Sequence, residues 1–167
     1  MSSNRPGGKV FFRPLLPLRF HDHCVYCGYP AHTRDHFRPW ATSRCRYWVP
    51  SCDTCNSLLG PSIQETFGER LGYLAWRYLR KYRRYDGYDY ARLCRQTSGN
   101  LQARFFQEKA AQTVLHQKLA WINFLTPLTF NLSLEGLCED EKAVELLCEL
   151  LDVIENREFR AKRNKSL

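Results

Sequence analysis

Nowhere does this 167-residue chain approach the roughly 18 consecutive apolar positions that a membrane-crossing helix requires. No export signal is legible either, because the apolar stretch Val10–Phe20 is interrupted by Arg13, Pro14, Pro17 and Arg19. No internal repeat and no long low-complexity tract is present, which argues against a solenoid and against a composition-driven linker. Acidic residues are scarce where basic ones are dense: residues 70–84 hold six Lys/Arg and no Asp or Glu. Together these absences set the expectation of a soluble protein of the cytoplasm, in a compartment where thiols stay reduced.

The residues that are present support a folded domain. Hydrophobic residues make up 44% and aromatics 14% of the chain, too apolar for general disorder. The net charge of +8 is unevenly spread. Residues 1–60 carry eight Lys/Arg against three Asp/Glu, residues 61–110 ten against five, and residues 111–167 seven against nine. The basic excess therefore belongs to the first two-thirds and favours a polyanionic partner. Nucleic acid is the first candidate and an acidic membrane surface the second.

Eight cysteines are present, four of them in two Cys-x-x-Cys pairs, Cys24/Cys27 and Cys52/Cys55, separated by 24 residues. Each pair places two thiolates on one tetrahedral ion, and two pairs close a structural zinc site. Gly28 follows the first pair, as a tight knuckle requires. The blander reading is a set of free core thiols or a redox pair. Cys94, Cys138 and Cys148 read as isolated buried cysteines, Cys45 as a spare in the intervening loop, and His21 and His23 as substitute ligands.

Beyond Gly60 the pattern becomes helical. Thr66 and Glu69 fit a capping box, and Phe67, Leu71, Leu74, Ala75, Tyr78, Leu79 and Tyr82 recur at helical spacing. Arg70, Arg77, Arg80, Lys81, Arg83 and Arg84 fill the remaining positions. A break is expected at 85–90. A second helix is expected from an Asn100 cap to about Phe124, stopped by Pro127, and a third from about Glu139 to Arg160. The fold class is thus α+β and mostly helical. Its expected parts are a flexible or extended arm at 1–20, a metal-stapled module at 21–66 and a helical region at 67–167.

Between the cysteine pairs lie Asp35-His36 and Pro39, and directly after the second pair come Asn56 and, four residues on, Gly60. With Cys24, Cys27, Cys52 and Cys55 in register, these residues resemble the zinc-stapled HNH nucleases, and more narrowly their small phage-encoded members. The resemblance spans about forty residues. It implies a ββα module in which Asp35 and Asn56 hold a catalytic Mg²⁺ or Mn²⁺ and His36 activates water. The chemistry suits the residue types: oxygen ligands for a hard cation, and an imidazole able to take a proton near neutral pH. Asp35 and His36 are neighbours on a presumed strand, so both serve one site only if the strand ends or twists there. The middle asparagine of the family pattern is missing, since no asparagine lies between Cys27 and Cys52, and Leu59 replaces the usual lysine before the glycine.

Arg34, Arg38, Arg44 and Arg46, with Tyr47 and Trp48, surround the proposed site, and Arg77, Arg80, Lys81 and Arg84 extend a basic track along the first helix. Plain solvated arginines and a core Trp48 are the alternative. The resulting expectation is an endonuclease acting on DNA, with RNA open, in a bacterial or phage-infected cell and without a membrane partner. Its rivals are a zinc-containing nucleic-acid-binding module without turnover, and a protein-interaction module using a homodimer or partner surface on the Leu-rich face of the last helix.

Overall fold

The structure, a computed structural model, describes residues 12–36, 46–85 and 87–163. Its elements are β1 (Arg13–Pro14), β2 (Thr33–His36), β3 (Tyr47–Ser51), α1 (Asp53–Leu59), α2 (Phe67–Lys81), α3 (Tyr90–Gln96), α4 (Gly99–Leu128), α5 (Leu134–Glu139) and α6 (Glu141–Arg163). The chain is α+β and mostly helical, as its sequence leads one to expect.

Three strands form one small sheet in the order β1-β3-β2, β1 parallel and β2 antiparallel to β3. β1 comes from the N-terminal segment, where only extended packing was anticipated. Behind it Leu16 and Phe20 are buried, and Arg19 reaches Asp152 of α6 at 3.0 Å. The turn Cys24–Gly28 closes through Gly28 N–H to Cys24 C=O at 2.8 Å and is tied to β3 by Val25 N–H to Pro50 C=O at 3.0 Å. Gly28 has φ +70°, and a Cβ there would fall 2.4 Å from the Trp121 ring of α4. Only glycine permits both the left-handed turn and that approach.

α2 starts as the sequence predicts, with Thr66 Oγ1 accepting from Glu69 N–H at 3.1 Å and Glu69 Oε2 accepting from Thr66 N–H at 3.2 Å. Its buried face is Phe67, Gly68, Arg70, Leu71, Leu74 and Tyr78. Arg70 is expected among the basic residues that fill the positions left by the apolar stripe, but it stands three after Phe67 and four before Leu74, on the stripe itself, and is buried.

Three boundaries differ from expectation. α4 begins at Gly99, with Ser98 rather than Asn100 at the N-cap position, and runs through Pro127 to Leu128. Proline in the last turn forfeits a single backbone bond, and the Thr126 and Thr129 hydroxyls donate to the carbonyls of Ile122 (2.7 Å) and Leu125 (2.9 Å). The expected third helix is α6, and α5 precedes it unanticipated, separated from it by the extended Asp140, whose side chain accepts from Lys142 N–H at 3.0 Å. α3 was not anticipated, although Asp89 caps it by accepting from Arg92 N–H at 2.9 Å.

α2 lies along α4, with α3 also on α4. One continuous core joins Cys24–Cys27, Val49 and Leu58 of the cysteine module to Leu71, Leu74, Trp121, Ile122, Leu125, Leu147 and Leu151 of the helices, so burial does not stop at residue 66. Cys94 and Cys148 are buried thiols as expected, whereas Cys138 is half-buried and disulfide-bonded. No described helix is long and apolar enough to cross a membrane.

Candidate metal centre and the surfaces around it

Cys24 and Cys27 come from the turn before β2, and Cys52 and Cys55 from the start of α1. Their sulfur atoms all lie within 4.8 Å of one another, Cys27 and Cys52 at 3.7 Å, and all four residues are buried. A tetrahedral ion with Zn–S bonds of about 2.3 Å sets its sulfurs about 3.8 Å apart. The four-sulfur donor set therefore fits a thiophilic divalent cation such as zinc, in a closed site of structural type. His21 and His23 are not among its donors. The His21 ring nitrogen Nε2 lies 2.8 Å from Leu16 C=O, and His23 is exposed.

Without a metal, the crowded sulfurs compete for protons. Hydrogen bonds from Cys24, Cys27 and Cys55 hold the Cys52 thiol far below its ordinary pKa, while bonds to the other three push Cys55 far above it. A divalent cation held by all four would take them as thiolates. Two polar groups from the helices complete the surroundings. The Tyr78 hydroxyl is 3.2 Å from Cys55 Sγ, and Lys118 Nζ is 3.7 Å from Cys52 Sγ. Neither was singled out from the sequence.

The residues assigned to catalysis are divided between the two faces of β2. The β2–β3 pairing holds from Thr33↔Ser51 through His36↔Trp48, so β2 stays in register with β3 up to His36. Asp35 and His36 therefore face opposite sides of the sheet. Asp35 is 4% exposed, and its Oδ2 accepts from Arg70 Nη2 at 2.7 Å and from the Tyr26 hydroxyl. Arg70 is itself fully engaged: Nε donates to Tyr26 Oη at 3.1 Å, and Nη1 donates to Ser62 C=O at 3.2 Å and to Gln64 Oε1 at 3.1 Å. The Tyr26 ring stacks on Phe67 with centroids 5.6 Å apart. Burial raises the Tyr26 pKa well above its ordinary value, so the phenol stays protonated. The cation beside Asp35 is thus a guanidinium.

Asn56 Nδ2 donates to Thr33 Oγ1 at 3.4 Å. Thr33 and Asp35 share a face of β2, so Asn56 lies on Asp35's side, but its amide is directed to the threonine. His36 is exposed, and its ring meets Phe12 edge-on at 4.5 Å.

Of the basic residues expected to contact a polyanion, Arg38 and Arg44 lie outside the described residues, as do Pro39, Cys45 and the side chain of Arg84. Arg34 is exposed and lies over the half-buried Trp48 ring at 4.6 Å, with His21 on the same ring at 5.1 Å. Arg46 is exposed. Along α2 a second group forms at helical spacing. Arg77 lies over Tyr73 at 5.7 Å, Arg80 lies over Trp76 at 5.4 Å, and the two rings are 5.8 Å apart. Trp76 is 49% exposed, and Lys81 lies over Tyr82 at 5.6 Å. Arginines paired with accessible aromatic faces combine phosphate contact with base stacking.

Compared with models of known protein families, with curated proteins and with solved structures, the chain matches none.

Proposed function

We propose that this chain is a zinc-stapled nucleic-acid-binding protein, built on a ββα module like that of HNH nucleases and gripping polynucleotide without cutting it. The observation that carries the reading is the occupation of Asp35. Its carboxylate, the expected ligand for a catalytic divalent cation, is buried against the permanent cation of Arg70, with His36 on the opposite face of β2. A hydrated Mg²⁺ would have to displace a guanidinium that makes four hydrogen bonds. Four buried cysteines hold one zinc ion per chain, which clips the Cys24–Gly28 turn to α1. The basic excess and the two arginine–aromatic groups, Arg34–Trp48 and Tyr73–Trp76–Arg77–Arg80, support binding through phosphates and stacking rather than base reading.

A second reading, hydrolysis, is favoured by Asn56 lying on Asp35's side of the sheet and His36 lying next along the strand. One pair of assays separates the two. Purified protein is titrated onto labelled single- and double-stranded DNA at several salt concentrations, and is incubated with supercoiled plasmid in Mg²⁺ or Mn²⁺. Affinity that falls steeply with salt, drops about 10-fold in Trp76→Ala, and comes with intact plasmid supports the binding reading. Metal-dependent nicking that disappears in His36→Ala establishes the nuclease instead. Absence of binding to any polynucleotide overturns both.

A further inference from the structure

Lys118, on α4, is 8% exposed, and no carboxylate among the described residues lies within ion-pair distance of its ammonium. Among the described residues the ion pairs are Arg19–Asp152 and Arg70–Asp35, and neither involves it. Its neighbours are Cys52 Sγ at 3.7 Å, the Tyr78 hydroxyl at 3.5 Å, and the ring faces of Tyr29 at 4.9 Å and Tyr78 at 5.7 Å. A buried ammonium with no counter-charge is heavily disfavoured, and aromatic faces offset only part of that cost. The anion within reach is the cysteine cluster itself. Four thiolates around a divalent ion form a net dianion, and Lys118 faces one of its sulfurs.

We propose that Lys118 is the counter-ion of the metal centre: it donates to the Cys52 sulfur, strengthens metal binding, and fixes α4 to the cysteine module. Tyr78 contributes from α2, where its hydroxyl meets Cys55 Sγ at 3.2 Å. The metal is therefore held in a cage closed by three helices, with Trp121, one turn beyond Lys118, packed on Gly28 of the cysteine turn. On this account metal binding organises the helical part of the chain as well as the ββα module.

The test is zinc affinity of the full chain by competition with a chromophoric chelator, for wild type, Lys118→Met and Lys118→Arg. Lys118→Met keeps most of the length of the side chain and removes its charge. It should still take up one zinc per chain but bind it about 10–100-fold more weakly, and Lys118→Arg should recover part of the loss. An affinity for Lys118→Met within about twofold of wild type would overturn the proposal, as would a wild-type chain that binds no zinc. If Lys118→Met does not fold, hydrogen exchange on the wild type decides. Stripping zinc should deprotect amides of residues 115–125 together with those of 52–59. Protection of α4 that survives zinc removal counts against the counter-ion role.

Discussion

Replacing Arg70 by methionine tests the assignment of Asp35 most directly. The two side chains are 1% and 5% exposed and 2.7 Å apart, so solvent cannot take over from a missing partner. Removing one member of such a pair strands a buried charge and costs about 3–5 kcal/mol. Methionine retains the apolar stem beside Phe67 and Leu74, so the loss reports the charge and its hydrogen bonds rather than a cavity. That is a large fraction of the roughly 5–15 kcal/mol by which domains are stable, and it corresponds to a fall of about 10 °C in Tm. Urea unfolding of the zinc-loaded protein at neutral pH reads it as a lower midpoint at unchanged slope. In the double variant Asp35→Leu/Arg70→Met no buried charge is left over. Most of the loss should return, giving a coupling energy of at least about 2 kcal/mol. A cost below about 1 kcal/mol for Arg70→Met would refute the reasoning. Asp35 would then not depend on Arg70 and would be free for a divalent cation.

Chelation of the metal should lower the unfolding midpoint sharply and expose all four cysteines of the cluster to a thiol reagent; unchanged stability after complete zinc removal would remove its structural role. Tyr26 supplies a pH signature. Its folded pKa is raised, first by burial, above the ordinary value of 10.0, so the stability it contributes is complete below about pH 10 and is lost as pH rises, because only the unfolded chain then releases the proton. Relative to Tyr26→Phe, the wild type should lose about 1.4 kcal/mol per pH unit above that point, and parallel stability profiles between pH 8 and 11 would contradict the burial. Two glycines of α2 should respond in opposite directions to alanine. At Gly68 the new Cβ would meet Phe130 N and Thr126 O at 2.7 and 2.8 Å, whereas at Gly72 its nearest neighbour is 4.0 Å away. Gly68→Ala should destabilise by about 1–3 kcal/mol and Gly72→Ala should stabilise by up to about 1 kcal/mol, with equal midpoints for the two variants the adverse result.

The features legible in the sequence are those whose geometry is local. Two Cys-x-x-Cys pairs specify their own spacing about an ion, and Thr66 with Glu69 specifies a helix start through bonds that span three residues. Helix ends were less legible. Pro127 signals a stop, yet in the last turn it forfeits only one backbone bond, and the packed face of α4, with Ile122 and Leu125 buried, runs up to it. The pairing of β1 with β3 depends on a contact between residues 13 and 47, and nothing in a two-residue strand announces its partner. Asp35 and His36 were legible as a motif, but the distribution of their neighbours was not. The side chain that claims Asp35 comes from a helix thirty-five residues away.

Arg70 and Lys118 did leave a signal of one kind. Arg70 stands between Phe67 and Leu74, and Lys118 between Leu115 and Ile122, each three residues after one core position and four before another. A cation on a core stripe needs a buried anion, and the described residues offer the Asp35 carboxylate and the cysteine sulfurs. Both anions belong to the ββα module and both cations to the helices behind it. Each side alone would bury uncompensated charge, and together they cancel at two separate points, one on α2 and one on α4. Across the boundary expected at residues 66 and 67 the two parts thus share buried charge as well as one apolar core. The helices supply the charges that let the module bury its own.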